Sequence, residues 1–113
     1  MTDLLTRLEN AKDGNRELDW AIRDQVCADA GEISSHIAPH YTTSLDAALP
    51  WERECYWEIS GPRKYLNIPS PVPNYWRAIC RREVKALYWK DYEGWGATEA
   101  LARRIAALRA RAA

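Results

Sequence analysis

The hydrophobic positions nearest the C-terminus repeat at the spacing of an α-helix. They form a single stripe made of Leu101, Ile105, Leu108 and Ala112. Thr98 is a favoured N-cap residue, and Glu99 follows it where the helix dipole favours an acid. The pattern therefore predicts a C-terminal helix that needs a hydrophobic surface to pack against.

Two more amphipathic helices are predicted in the first 30 residues. The first begins at Thr2, is ended by turn residues 13–15, and has one apolar face of Leu4, Leu5, Leu8 and Ala11. The second runs over about residues 16–29, with an apolar face of Leu18, Ile22 and Val26. On its solvent side we expect Glu17, Asp19, Arg23 and Asp24. Both helices need a partner surface.

The chain between these helices changes character along its length. Residues 43–49 predict a short third helix, with Thr43 as its cap and Pro50 and Trp51 at its end. Residues 55–60 alternate as a strand does, with Cys55, Trp57 and Ile59 on the inward side. Gly61 and Pro62 then predict a turn, followed by a second strand over 63–68.

Residues 74–94 fit two secondary structures about equally well. As strands, 75–81 and 84–92 would form a hairpin that turns at residues 82–83 and places Trp76, Ala78 and Cys80 inward. Arg82 and Glu83 lack the glycine or asparagine that tight hairpins prefer, which favours a helix instead. The pattern alone leaves both alternatives open.

Three stretches resemble the phage ABA sandwich domain family of small phage and prophage proteins. They are residues 16–19, residues 41–49, and residues 96–102 leading into 106–110. The family more often has a proline where Glu99 stands, which changes the entry to the helix. The resemblance implies helices packed on an antiparallel sheet and favours strands over 74–94. It implies a phage accessory protein in the cytoplasm of an infected bacterium, with no assigned activity.

Together these patterns predict one α+β domain over residues 1–113. We expect an antiparallel sheet of about four strands packed with the N-terminal and C-terminal helices. The C-terminal helix should lie on an inward sheet surface of Trp57, Ile59, Trp76 and Ala78.

The net charge of zero conceals two oppositely charged halves. Residues 1–60 contain 5 basic and 12 acidic residues, a balance of −7, and residues 61–113 contain 11 and 4, a balance of +7. One interpretation is that acidic and basic helices pack together within a neutral molecule. The other is that the basic half presents a face that binds an anion.

Tryptophan and tyrosine are unusually frequent, with six of each and no phenylalanine. Tyrosines interleaved with arginines suit a ligand that has both a flat ring and a phosphate, because the ring stacks and the guanidinium pairs with the anion. The alternative is that these residues pack under helices or form a subunit interface. The candidate binding residues are Tyr56, Arg63, Tyr65, Tyr75, Arg77, Arg81, Trp89 and Trp95.

The sequence contains no Gly-x-Ser-x-Gly motif, no His-Glu-x-x-His motif and no glycine loop of the kind that binds phosphate. His36 and His40 have the spacing of metal ligands on a helix, but Pro39 interrupts that helix. Cys27, Cys55 and Cys80 are odd in number and widely spaced, which indicates reduced thiols. We therefore expect no enzyme activity, no metal and no cofactor.

Two functional hypotheses from different classes remain. The first is a binding protein that sequesters a nucleotide-like immune signal and so counters host defence against phage. The second is a protein–protein interaction module, a homo-oligomeric inhibitor or scaffold with no small-molecule ligand. DNA is a weak third candidate, because the acidic half would repel it. With no apolar run near 20 residues and no signal peptide, we expect a cytoplasmic protein and no membrane partner.

Overall fold

The computed structural model describes residues 2–30, 37–63 and 74–112. Its helices are α1 (Thr2–Asn10), α2 (Arg16–Ala30) and α3 (Glu99–Ala112), with a short 3₁₀ helix at Pro50–Glu54. Its strands are β1 (Tyr56–Arg63), β2 (Tyr75–Lys85) and β3 (Tyr88–Gly96), and they form an antiparallel sheet in the order β1-β2-β3. The predicted α+β class is therefore confirmed. None of the described helices is long and apolar enough to cross a bilayer.

Helix α3 is the centre of the molecule and packs on two sides. Its alanines Ala102, Ala106 and Ala110 lie against the inward face of the sheet, in one cluster with Ala78, Cys80 and Tyr92. Its larger side chains Leu101, Ile105 and Leu108 pack instead with α1 and α2. The prediction that the helix lies on the inward sheet surface is therefore confirmed, but the alanines and not the larger stripe make that contact. The reason is steric, since alanine allows α3 to approach the strands closely.

The closest approach of α3 to the sheet is at Gly94 of β3. A Cβ built on Gly94 would lie 2.3 Å from the carbonyl oxygen of Ala102 and 2.4 Å from the backbone nitrogen of Ala106. Both atoms belong to the helix backbone, so a side-chain rotation cannot move them away. A glycine at this position is therefore a requirement of the packing.

The predicted N-cap of α3 is confirmed. The Thr98 hydroxyl accepts a hydrogen bond from the Leu101 amide at 3.2 Å, and the Thr98 carbonyl accepts one from Ala102 at 3.0 Å. The first bond satisfies a donor that the first turn of a helix otherwise leaves unpaired, and the second is the first backbone hydrogen bond of the helix itself.

Thr98→Ala is expected to lower the free energy of unfolding by about 1 kcal/mol, because the Leu101 amide loses its side-chain acceptor. Urea denaturation followed by circular dichroism measures this change. Thr98→Ser keeps the acceptor oxygen and is the matched control. Equal losses in both variants would show that the threonine methyl group, and not the cap, stabilises the helix.

The sheet differs from the prediction at β1. Gly61 and Pro62 do not form a turn but continue β1, where the register against β2 shifts between Ser60 and Arg63. Arg63 is the last residue of β1 and lies opposite Tyr75. The described residues therefore contain three strands and not about four, and most of the predicted strand over 63–68 lies outside them.

Residues 74–94 form strands, which settles the alternative left open by the sequence. The turn lies at Ala86 and Leu87, between β2 and β3, and not at Arg82 and Glu83 as predicted. Arg82 and Glu83 continue the ladder opposite Lys90 and Trp89. The hairpin is therefore longer than predicted, and its tip lies four residues further along the chain.

The predicted helix over 43–49 does not form, and Pro50 begins a 3₁₀ helix instead of ending one. The carbonyls of Tyr41, Ser44 and Leu45 accept hydrogen bonds from the Arg104 side chain at 2.8–3.0 Å. These carbonyls bind the guanidinium of Arg104, so they are not used for the backbone hydrogen bonds of a helix. Proline at the first helical position loses no hydrogen bond.

Arg104 is fully buried and forms an ion pair with Glu52 at 2.7 Å. The other carboxylate oxygen of Glu52 accepts the Leu49 amide at 2.6 Å. Burial raises the pKa of Glu52, and the Arg104 charge opposes that rise. Burial likewise lowers the pKa of Arg104, and Glu52 opposes that fall. Each charge thus offsets much of the desolvation cost of the other.

Asp19 is also buried, which contradicts its predicted place on the solvent side of α2. Its Oδ1 atom accepts hydrogen bonds from the Thr42 amide at 2.8 Å and the Thr42 hydroxyl at 2.7 Å. Arg16 donates to its Oδ2 atom at 3.0 Å. The segment around Thr42 covers Asp19, so this polar side chain is inaccessible to water.

The two charged halves of the sequence meet inside the molecule. Glu52 of the acidic half pairs with Arg104 of the basic half, and Glu9 pairs with Arg109 at 3.1 Å. Arg109 also donates to the carbonyl oxygen of Glu93 on β3 at 2.7 Å. These contacts support the first interpretation of the charge pattern, in which the halves balance within one chain.

Candidate binding surface

The sheet face opposite α3, here called the outer face, gathers most of the candidate residues. The register aligns Tyr56 with Arg81 and Asp91, and it aligns Arg77 with Trp95. Side chains alternate along each strand, and Ala78, Cys80 and Tyr92 occupy the α3 side. The outer face consists of Tyr56, Glu58, Ser60, Arg77, Ile79, Arg81, Glu83, Trp89, Asp91, Glu93 and Trp95.

Both arginines in the middle of the outer face already have carboxylate partners. Arg77 forms an ion pair and a hydrogen bond with Glu93 on the neighbouring strand. Arg81 donates to both carboxylate oxygens of Asp91, at 2.7 and 3.2 Å. The hydrogen bond from Arg81 lowers the pKa of Asp91, and the same contact raises the pKa of Arg81. An added anion would therefore compete with two carboxylates.

Aromatic rings lie at the end of the outer face nearest the β2–β3 hairpin. The rings of Tyr56 and Trp89 are 5.3 Å apart between centroids and tilted by 58°, a geometry typical of attractive aromatic pairs. Tyr56 is 67% exposed and Trp89 is 41% exposed. The pair therefore offers a large apolar area to a partner.

Of the other described candidate residues, Trp95 belongs to the outer face, whereas Tyr75 and Arg63 lie away from its centre. Tyr75 is buried, and its hydroxyl donates to the Glu9 carbonyl of α1 at 3.3 Å, so the predicted place of Tyr75 on an open platform is wrong. Arg63 is exposed at the far end of β1, and Trp95 is half-buried opposite Arg77. Tyr65 lies outside the described residues.

The outer face has little depth. The recess between Tyr56, Trp57, Glu58, Ile79 and Arg81 has a volume of about 40 Å³. Pockets that enclose small molecules usually measure several hundred Å³. A larger recess of about 370 Å³ lies away from the sheet, beside α1 and the start of α2, lined by residues that include Arg7, Asn15 and Glu17. The outer face therefore suits a flat partner better than an enclosed ligand.

The end of the β2–β3 hairpin is an exposed apolar surface that the sequence interpretation missed. Leu87 is 92% exposed, and Tyr88 and Val84 are 53% and 47% exposed. The sequence does hold a signal, because these apolar residues stand beside a predicted turn. The prediction placed the turn at residues 82–83, so residues 84–92 were expected to form a strand and the exposed tip was not recognised.

The cysteines lie where strand alternation predicts. Cys80 is buried against α3, with the half-buried Cys55 packed against the same cluster. Burial raises the pKa of the Cys80 thiol, and the neighbouring Cys55 raises it further. A thiol in this state is a poor nucleophile.

The His36 and His40 pair cannot be assessed as a unit, since His36 lies outside the described residues. His40 stands 3.9 Å from Asp19. Over residues 2–30, 37–63 and 74–112, no three histidine, cysteine or carboxylate side chains are grouped so that they could hold a metal ion.

Comparison with known proteins adds no family: no family model, no curated protein and no solved structure matches this chain.

Proposed function

We propose that this chain is a protein–protein interaction module that pairs with a second copy of itself through the outer face. The observation that carries the proposal is the pairing of Arg77 with Glu93 and of Arg81 with Asp91. The face therefore offers exposed aromatic rings between neutralised charges, which is the composition of a protein interface. The resemblance to the phage family adds the proposal that the module serves a phage accessory protein.

The arrangement of charge on the outer face favours a second copy as the partner. The central strand β2 carries a positive row, Arg77 and Arg81, with Glu58 on one side and Asp91 and Glu93 on the other. Neighbouring strands are about 5 Å apart. Two copies placed face to face and displaced by one strand would bring each arginine row over a carboxylate row of the other copy. Each arginine would then keep its own carboxylate and gain a second one from the partner. Such a contact is self-complementary, as a two-fold dimer requires.

The aromatic pair supplies the apolar anchor of the proposed dimer. Tyr56 and Trp89 are exposed and already pack against each other, so little side-chain entropy remains to be lost on binding. Tyrosine and tryptophan are also the residue types that most often dominate interface energies.

Light scattering over a concentration series tests the proposal. The wild-type chain is expected to approach twice the monomer mass, and Tyr56→Ala/Trp89→Ala is expected to weaken association by at least about tenfold. Tyr88→Ala, which removes an exposed aromatic from the other side of the same hairpin, is the matched control and should leave the mass unchanged. High salt should weaken the dimer, because ion pairs between the faces are screened.

A wild-type chain that stays monomeric at every accessible concentration would overturn the dimer. Calorimetric titration with cyclic oligonucleotides and adenine dinucleotides tests the competing hypothesis that the chain binds a nucleotide. Heat of binding that disappears in Arg77→Ala/Arg81→Ala would favour the nucleotide-sequestering function over the interaction module.

A further inference from the structure

At the tip of the β2–β3 hairpin, Leu87 has a backbone conformation and an exposure that do not stabilise the fold. Leu87 adopts a left-handed backbone conformation, with φ of 63°. This conformation suits glycine and is costly for a leucine. The Leu87 side chain is nevertheless 92% exposed, so it gains almost no burial in return. A strained residue with no packing role indicates a role outside the fold.

The residues around Leu87 are apolar and cationic on the same side of the hairpin. Arg82 donates to the Ala110 carbonyl near the end of α3 at 3.4 Å, and the hairpin beyond Arg82 is exposed. There, Lys85 and Lys90 lie over the rings of Tyr88 and Tyr92, at 5.5 and 5.4 Å from the ring centroids. The hairpin end thus has an aliphatic tip at Leu87, a tyrosine next to it at Tyr88, and three cations around them, Arg82, Lys85 and Lys90.

We propose that this hairpin end, residues 82–90, inserts into the interface of an anionic membrane. Leu87 and Val84 would enter the acyl boundary, and Tyr88 would lie at the headgroup level, where amphipathic rings are favoured. Lys85, Lys90 and Arg82 have flexible stems that reach the lipid phosphates while their apolar carbons stay buried. The contact is peripheral, so it needs no membrane-spanning helix.

The positive charge of residues 82–90 favours a membrane over a protein as the partner. Lysine is depleted at protein interfaces, whereas each lysine or arginine near an anionic bilayer strengthens binding. Two carboxylates lie near the hairpin end. Asp91 is paired with Arg81 on the outer face, and Glu83 accepts the Leu87 amide at 3.0 Å but keeps its charge. Arg82, Lys85 and Lys90 outnumber Glu83, so residues 82–90 have a net positive charge. The inference departs from the expectation of no membrane partner, which considered only spans and leader segments. It uses Val84, Lys85, Leu87, Tyr88 and Lys90, whereas the proposed dimer uses Trp89 on the outer face of the same hairpin.

Co-sedimentation with vesicles tests the inference, using phosphatidylcholine alone and phosphatidylcholine mixed with phosphatidylserine. The wild-type chain is expected to bind the mixed vesicles and to bind phosphatidylcholine alone far more weakly. Lys85→Gln/Lys90→Gln is expected to reduce binding to mixed vesicles by about 25-fold, since each cation contributes about fivefold.

Leu87→Gly separates binding from folding. It removes the inserted side chain and relieves the left-handed backbone, so membrane binding should fall at least about tenfold while the melting temperature stays equal or rises. Leu45→Gly is the matched control, because Leu45 is 50% exposed in a loop far along the chain from the hairpin. It should leave vesicle binding unchanged.

Three results would overturn the inference. They are absence of binding to mixed vesicles, equal binding of wild type and Leu87→Gly, and equal loss in Leu87→Gly and Leu45→Gly. A Leu87-dependent change in light-scattering mass without vesicle binding would assign the hairpin end to a protein contact instead.

Discussion

Arg104→Met is expected to lower the free energy of unfolding by about 3–5 kcal/mol, because it leaves the buried Glu52 carboxylate without its cation. The carbonyls of Tyr41, Ser44 and Leu45 lose their donor in the same step. Single domains are stable by only about 5–15 kcal/mol, so the variant should be close to unfolding at neutral pH. Urea denaturation followed by circular dichroism measures the loss.

Two further variants identify the cause of the loss. Arg103→Met changes the adjacent arginine, whose ion pair with Glu99 at 3.2 Å is partly exposed, and should cost no more than about 1 kcal/mol. Glu52→Gln combined with Arg104→Met removes the unpaired charge and should recover part of the stability, though the three carbonyls stay unpaired. A double variant less stable than Arg104→Met would contradict a carboxylate-based cause.

The loss in Arg104→Met should depend on pH with a definite sign. Burial already raises the pKa of Glu52, and removal of Arg104 takes away the charge that lowers it. A carboxyl whose pKa is higher in the folded state than in the unfolded state destabilises the fold as pH rises from the ordinary glutamate value through the raised one. The difference between variant and wild type should therefore be smaller near pH 4 than at pH 7. A deficit that is constant between these pH values would contradict this explanation.

Gly94→Ala is expected to cost about 3 kcal/mol and to lower the melting temperature by roughly 10 °C, because the added Cβ overlaps the backbone of α3. The helix must move off the sheet, which opens the contact of Ala102 and Ala106 with the strands. Differential scanning calorimetry measures the shift.

A double variant tests whether the obstruction is backbone or side chain. Ala106→Gly removes the Cβ that lies 3.0 Å from the added methyl, but the carbonyl of Ala102 and the nitrogen of Ala106 remain in place. Gly94→Ala/Ala106→Gly should therefore not recover the lost stability. Recovery would show that side-chain crowding, and not the backbone approach, requires glycine at position 94.

Local patterns in the sequence were sufficient to predict the secondary-structure elements that are determined by residues close together in the chain. The bounds of α1 and α2, and the Thr98 cap of α3, follow from spacing and capping chemistry that act within a few residues. The inward positions of Cys80 and Ala78 likewise follow from alternation along one strand.

The errors occurred where distant segments meet. Asp19 looks like a solvent-side residue until Thr42 covers it, and Arg104 looks like surface charge until residues 41–52 wrap around it. Both contacts join residues far apart in the chain, which no helical spacing encodes. The alanine stripe of α3 was overlooked for another reason, because alanine contributes little to a hydrophobic pattern while it decides how closely a helix approaches a sheet.

For the candidate site, the sequence predicted the face that Tyr56, Arg77 and Arg81 share, but it misplaced Tyr75 and did not reveal the ion pairs. Alternation brought Tyr56, Arg77 and Arg81 to one face, as the strand interpretation required. The partners Glu93 and Asp91 depend on the register between β2 and β3, and a turn misplaced by a few residues conceals them. That pairing is the reason why we propose a protein and not an anion as the partner.

The hydrogen bond from Arg109 to the Glu93 carbonyl has a consequence for aggregation. Within the described part of the chain, β3 is the last strand on its side of the sheet, and a terminal strand with free carbonyls is a template for adding foreign strands. Arg109, itself held by Glu9, occupies one of those acceptors with a charged group. Open-ended growth of sheets along this border is thereby hindered, which is compatible with the proposed self-association through the outer face.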